Sequence, residues 1–169
     1  MAGRSAATYG VLCILVGALL ALAYVNAPML QTLITKPSIN DITTDLLDPP
    51  KFISTDIPAY PAAFADKQRE GYPEIAPLIL PDAPDAVFRR ATDVAIDLGW
   101  RIRHAEPQSG RIEAVATTSF LRFKDDVVVR LRPQESGTRV DIRSRSRIGR
   151  HDLGTNARRI REFFKRLQR

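Results

Sequence analysis

Residues 100–147 read Trp100-RIRHAEPQSGRIEAVATTSFLRFKDDVVVRLRPQESGTRVDIRSRS-Arg147, and this stretch decides the fold. It divides into four runs, 100–106, 110–118, 125–132 and 138–147, each alternating apolar with polar residues as a half-buried strand does. Pro107-Gln108-Ser109-Gly110 and Pro133-Gln134-Glu135-Ser136-Gly137 supply Pro and Gly where hairpin turns need them. Alternation sorts the side chains into two sets. Trp100, Ile102, His104, Ile112, Ala114, Ala116, Val127, Val129, Leu131, Val140, Ile142 and Ser144 make an apolar face. Arg101, Arg103, Arg111, Glu113, Thr117, Arg130, Arg132, Arg139, Asp141, Arg143 and Arg145 make a polar one, with eight arginines against two carboxylates.

A helix flanks the strands on each side. Over 84–99, Val87, Ala91, Val94 and Leu98 recur at helical spacing, Asp82 is placed to cap, Pro84 suits the first turn and Gly99 the stop. From Leu153 to Leu167 the stripe is Leu153, Ala157, Ile160, Phe164 and Leu167, with Arg158, Arg161, Lys165 and Arg169 facing out and Asp152 as cap. The expected domain, 84–169, is α+β: an antiparallel sheet of four to five strands with both helices on its apolar face.

Residues 28–83 are extended and proline-punctuated. Their apolar residues, among them Ile39, Ile42, Phe52, Tyr60, Tyr72 and Ile75, predict that this segment wraps the domain rather than linking freely. The piece Ile39 to Asp45 adds an edge strand, and a helical turn falls near 59–67. Residues 36–99 carry 6 basic and 11 acidic side chains, whereas 140–169 carry 10 and 3, so the two halves attract. The excess, +6 overall, implies anionic partners.

Residues 1–27 are expected to form an anchor. Positions 9–25 are uncharged and apolar, Tyr9 and Tyr24 stand near the ends, and Arg4 precedes them. About 20 such residues cross a bilayer, and the preceding Arg4 keeps the N-terminus in the cytoplasm with the domain exported. A cleaved signal ending at Ala21-Leu22-Ala23 or Val25-Asn26-Ala27 stays open, which would leave the domain periplasmic or secreted. Cys13 reads as a small apolar residue of that run.

Composition excludes several function classes. With 44% hydrophobic and 26% charged residues the chain is not wholly disordered. One Cys excludes an intrachain disulfide or a Cys-clustered metal site, and two His leave little for a histidine centre, so no metal or cofactor is called for. Asp125 and Asp126 are adjacent in a strand and point to opposite faces; they read as structural ion pairs with arginines such as Arg143 or Arg147. His104 reads as a partly buried, hydrogen-bonded residue of the core face. The anion-binding candidates are Arg143, Arg145, Arg147, Arg150, Asn156 and Arg159, from the last strand, the turn after it and the last helix, where guanidinium forks meet a helix N-terminus.

Several stretches together resemble a bacterial and plastid family, domain of unknown function 1499. They are Asn40 to Asp45 with Asp48-Pro49-Pro50, Tyr72-Pro73 with Ala76-Pro77-Leu78, Gly110 to Ala114, Phe123 to Arg130 and Arg143 to Ile160, within 38–168. The resemblance implies an envelope-associated domain and supplies no activity. The leading expectation is a membrane-anchored, non-catalytic domain that binds an anionic lipid, an envelope polymer or a protein through its arginine face and strand-to-helix turn. Alternatives are a small-molecule or lipid carrier, with room beside Ala114, Ala116 and Ser144, and a hydrolase built on Asp125, Asp126, His151 and Asp152. Export removes nucleic acid as a partner.

Overall fold

The computed structural model describes residues 15–17, 24, 36–119 and 121–169. The chain falls into two units, Met1–Lys36 and Pro37–Arg169. The anchor expected over 1–27, with Cys13, lies outside the described residues. Among those described, no helix is long and apolar enough to cross a membrane.

The second unit runs β1 (Asp41–Thr43), a 3-10 turn (Ala62–Phe64), α1 (Ala65–Gly71), β2 (Leu78–Leu80), α2 (Pro84–Asp97), β3 (Arg101–Glu106), β4 (Arg111–Thr117), β5 (Lys124–Gln134), β6 (Gly137–Ser146) and α3 (Thr155–Leu167). The sheet is antiparallel in the order β1-β6-β5-β4-β3, and β2 also pairs with β6. Among the described residues it has six strands rather than the four or five expected. The long β6 offers one edge to two short strands end to end: β1 lies against Arg143–Arg145 and β2 against Thr138–Val140. Leu78 to Leu80, three residues between prolines, show no alternation that marks a strand in sequence. The outer edge of β1 is closed by a side chain, Gln68, which accepts from Thr43 N at 3.0 Å and donates to Thr43 O at 2.6 Å. A buried amide thus supplies the pairing that a further strand would.

Helices α2 and α3 cover the apolar face. Val87, Ala91, Val94, Ala157, Ile160, Phe163 and Leu167 interlock with Ile112, Ala114, Ala116, Val127, Val129, Val140 and Ile142 in one buried core. Ile39, Ile42, Tyr72 and Ile75 of the proline-rich segment join it. Phe163, not Phe164, takes the central place in α3, stacked on Trp100 at 5.2 Å between centroids; Phe164 packs at the margin. Asp82 does not cap α2, whose start carries no side-chain cap. Its carboxylate instead accepts from Arg90 at 2.8 Å.

A bulge between Ile102 and His104 resets the alternation of β3. Ile102 stands opposite Ala114, but His104 stands opposite Glu113, so His104 belongs to the polar face and not the core face expected for it. It is half-buried, and its Nε2 lies 3.9 Å from Glu106 Oε2, too far for a hydrogen bond.

The β5–β6 turn depends on Gly137, whose φ of 124° belongs to glycine. A Cβ there would run into the carbonyl oxygen of Leu80, where β2 crosses the turn. Gly137→Ala is expected to lower stability by about 2 kcal/mol, the strain of such a backbone added to a backbone collision. Urea unfolding would show a lower midpoint at unchanged slope; an unchanged midpoint would mean that β2 yields freely.

Candidate functional site

The polar face of the sheet is itself an interior. Residues 44–60 cross it as a strap, and most of its arginines are held there. Arg143 is the largest fully buried side chain, 1% exposed. Its Nε and Nη2 donate to the two carboxylate oxygens of Asp41 at 2.9 and 2.7 Å, and its Nη1 and Nη2 to the carbonyls of Pro50 and Pro58 at 3.3 and 2.9 Å. The guanidinium also lies over the Phe52 and Tyr60 rings, 5.3 and 5.9 Å from their centroids. Burial pushes the Asp41 carboxyl above its ordinary pKa, against the pull of Arg143. Further along, Arg130, Arg132 and Arg139 converge on Asp45 and Asp141, with Asp48 at the rim. Glu113 accepts from the backbone N–H groups of Ile53 and Ser54 at 2.5 and 3.0 Å, and Arg111 donates to the Lys51 carbonyl. Arg143 is therefore a latch for the strap, not an exposed anion ligand.

The helix side of the last strand is equally engaged. Asn156 accepts from Ser144 Oγ and Arg159 Nη1 at 2.7 and 2.6 Å and donates to Asn40 O and Ser146 Oγ at 3.1 and 3.0 Å. Arg159 also grips Asp125. Asn156 and Arg159 thus tie α3 to the sheet rather than facing solvent. Asp152 takes up the N–H groups of Gly154 and Asn156 at 2.9 and 2.8 Å, so the helix start is already capped by an acid. Arg150 is exposed. Asp125 and Asp126 point to opposite faces, Asp125 to Arg159 and Asp126 to Arg147. His151 Nδ1 accepts from Leu153 N at 2.9 Å. Each of the four residues of the hydrolase alternative thus has a structural hydrogen-bond partner of its own. Ala114 and Ala116 are buried in the core under the helices, and Ser144, where the carrier alternative also looked for room, is hydrogen-bonded to Asn156. An open cleft of about 270 Å³ does lie at the end of the sheet, between Trp100, Thr117–Ser119 and Thr155, Arg158 and Arg159 of α3.

One part of the polar face stays open. Beside the strap, Thr55, Ile57, Arg103, Asp126, Arg145 and Arg147 line a groove of about 360 Å³. Three guanidiniums meet one carboxylate there, and that carboxylate is taken: Arg147 Nε and Nη2 donate to Asp126 at 2.8 and 2.6 Å, a fork that raises the guanidinium's pKa further. Arg145 Nε stands 3.7 Å from Asp41, whose two oxygens already serve Arg143. Arg103, exposed at the bulge, has no ion pair or hydrogen bond among the described residues. The Thr55 hydroxyl is buried without a hydrogen-bond partner among them. Arg145 and Arg147 were legible as candidates. Arg103 was not, because the bulge that sets it at the groove leaves no mark in the sequence, and Thr55 comes from the strap. Among the described residues no cluster of His, Cys, Asp or Glu is placed to hold a metal.

No curated protein matches this chain. Among solved structures, a crystal structure of a protein from Chromobacterium violaceum is similar with a TM-score of 0.34 and 11% identity, over 54% of this chain and 91% of that one. The sequence profile of the family described as protein of unknown function DUF1499 matches residues 41–167. That span takes in β1, the strap, the whole sheet and both covering helices, and the chain belongs to the DUF1499 family.

Proposed function

We propose that this protein is a non-catalytic, membrane-anchored domain of the cell envelope that holds a phosphate- or carboxylate-bearing partner in the groove of Arg103, Arg145 and Arg147. The observation that carries the reading is the imbalance of that groove: Arg103 unpaired, Arg145 at 3.7 Å from an already occupied carboxylate, and the buried Thr55 hydroxyl without a partner. Under the strap the chain supplies its own acids to Arg130, Arg132, Arg139 and Arg143. In the groove it supplies too few, and a planar guanidinium pair is suited to an oxyanion from outside. The apolar run over 9–25, with Arg4 before it, supports the anchor and the exported side.

Inorganic phosphate is the simplest probe, followed by calorimetry on the full chain. Charge-assisted hydrogen bonds contribute roughly 1.5–3 kcal/mol each, so Arg103→Ala and Arg145→Ala should each weaken binding by about tenfold or more. Both sites are at the surface, and unfolding midpoints should stay near the parent's. Equal affinity in the double variant, with the fold intact, would remove this groove as the site.

A further inference from the structure

The same end of the folded unit carries an apolar tip that neither the core nor the groove uses. The β4–β5 connection is closed by Thr118 N donating to Phe123 O and Phe123 N to Thr118 Oγ1, both at 2.9 Å. It exposes Leu121 and Phe123, and Arg122 between them adopts φ 56°, a left-handed backbone that non-glycine residues rarely take. The turn after β6 lies alongside, because Arg147 N donates to Lys124 O at 3.3 Å. It exposes Ile148, 68% accessible. Arg122, Lys124 and Arg150 stand in or next to the same two turns, all exposed and with no carboxylate partner among the described residues.

The chain enters the folded unit at this end. Asn40 Nδ2 donates to Gly149 O at 2.5 Å, Ser146 N to Asn40 O at 2.8 Å and Asp152 N to Ile39 O at 3.4 Å, so residues 39–40 flank the Ile148 turn. Between Ala27, where the expected anchor ends, and Pro37 lie nine residues, a reach of at most about 30–36 Å.

We infer that Leu121, Phe123 and Ile148, with Arg122, Lys124 and Arg150 of the same turns, form a membrane-docking tip that inserts into the interface of an anionic bilayer and sets the domain's orientation on it. Apolar side chains enter the boundary between headgroups and acyl chains, and the neighbouring cations pair with anionic headgroups. A short tether attached at the same end holds the tip within reach of the surface. This inference rests on the anchor part of the proposed function and not on the groove.

Its test uses the full chain with Cys13→Ala and a nitroxide at Leu121→Cys, Ile148→Cys or, as a control on the strap, Leu47→Cys, whose parent residue is 97% exposed. The chain is reconstituted in liposomes of phosphatidylcholine, with or without phosphatidylglycerol. Docking predicts that labels at 121 and 148 become oxygen-accessible and shielded from aqueous nickel only with phosphatidylglycerol, while the label at 47 stays aqueous. Arg122→Gln, Lys124→Gln and Arg150→Gln together should abolish that shielding. Labels at 121 and 148 as aqueous as that at 47 in anionic liposomes overturn the inference, as does shielding without lipid, which would mark a protein contact. Flotation separates the two readings. A chain that floats with phosphatidylcholine alone but keeps an aqueous tip retains the anchor and loses the docking. A chain that floats only with phosphatidylglycerol, and less by about tenfold for each of Leu121→Ser, Phe123→Ser and Ile148→Ser, keeps the docking and loses the anchor.

Discussion

Arg143→Met is expected to lower stability by roughly 3–5 kcal/mol, the usual consequence of removing one partner of a buried ion pair. The loss has three parts. Asp41, 1% exposed, keeps its carboxyl in a dry site with its bidentate partner gone. The carbonyls of Pro50 and Pro58 lose their donor, so the strap is released at two points. The Phe52 and Tyr60 rings lose the cation above them. A surface pair would contribute at most about 1 kcal/mol, so the size of the effect separates an interior latch from a solvated face. Thermal unfolding should move down by about 10 °C or more for a domain of this size. The double variant Asp41→Leu with Arg143→Met is expected to regain much of that loss, because an apolar pair removes the unpaired charge. An Arg143→Met protein within about 1 kcal/mol of the parent would mean that the strap does not depend on this pair. The pH dependence adds a check. Burial already raises the Asp41 pKa, and without Arg143 it must rise further. A raised folded-state pKa means that the neutral carboxyl suits the fold, so the difference between variant and parent should shrink as the pH falls toward the raised value.

The layers were legible because their causes are local. Alternation over four runs, two turns with Pro and Gly, and two apolar stripes fix the strands and helices to within about two residues. An ion pair from Asp126 to Arg147 was among the pairings expected, since residues on one face of neighbouring strands meet; the register sets Asp126 opposite Arg145, and Arg147 reaches it diagonally. What escaped the sequence is long-range. The bulge at Arg103 moved His104 from one face to the other, and nothing in Trp100 to Glu106 announces an extra residue. The strap was expected to wrap, and its acids to attract, but which arginine meets which acid depends on where a proline-rich chain lands. So Arg143, read as a ligand for something outside, is enclosed in the fold, and Arg103, read as one of many, is left open in the groove.

That distribution explains how the domain can carry so many arginines on one sheet face. An uncovered array of like charges on neighbouring strands repels itself, with Arg132 directly opposite Arg139. Asp45 and Asp48 from the strap and Asp141 from β6 are set between them, so folding of the strap and tolerance of the array are one event. The strap's own turn is part of the device: Asp45 Oδ1 accepts from Leu47 N and Asp48 N at 3.1 and 3.0 Å, which fixes the bend that brings Asp48 over Arg130.

Asp45→Asn is therefore expected to cost about 2–4 kcal/mol near neutral pH, by removing the charge on which three arginines converge. Oδ2 of Asp45 accepts from Arg132 and Arg139 at 2.9 Å and from Arg130 at 3.2 Å, and the amide that replaces it would turn a donor or a weaker acceptor toward all three. Asn keeps the volume and can keep the two turn bonds, so the loss reports charge rather than shape. Burial works to raise the Asp45 pKa, but the Asp48 N–H, Arg132 and Arg139 outweigh it and hold the carboxyl below its ordinary 3.8. A depressed folded-state pKa contributes stability that is fully present above the unfolded value and is lost as the pH falls through the folded one. Parent stability should thus decline on acidification below about pH 4, whereas Asp45→Asn should follow a shallower curve, the two converging in strong acid. Urea unfolding across that range measures both. Parallel curves would show that Asp45 titrates alike in the folded and unfolded chain, and that the three arginines are held by Asp141 and Asp48 alone.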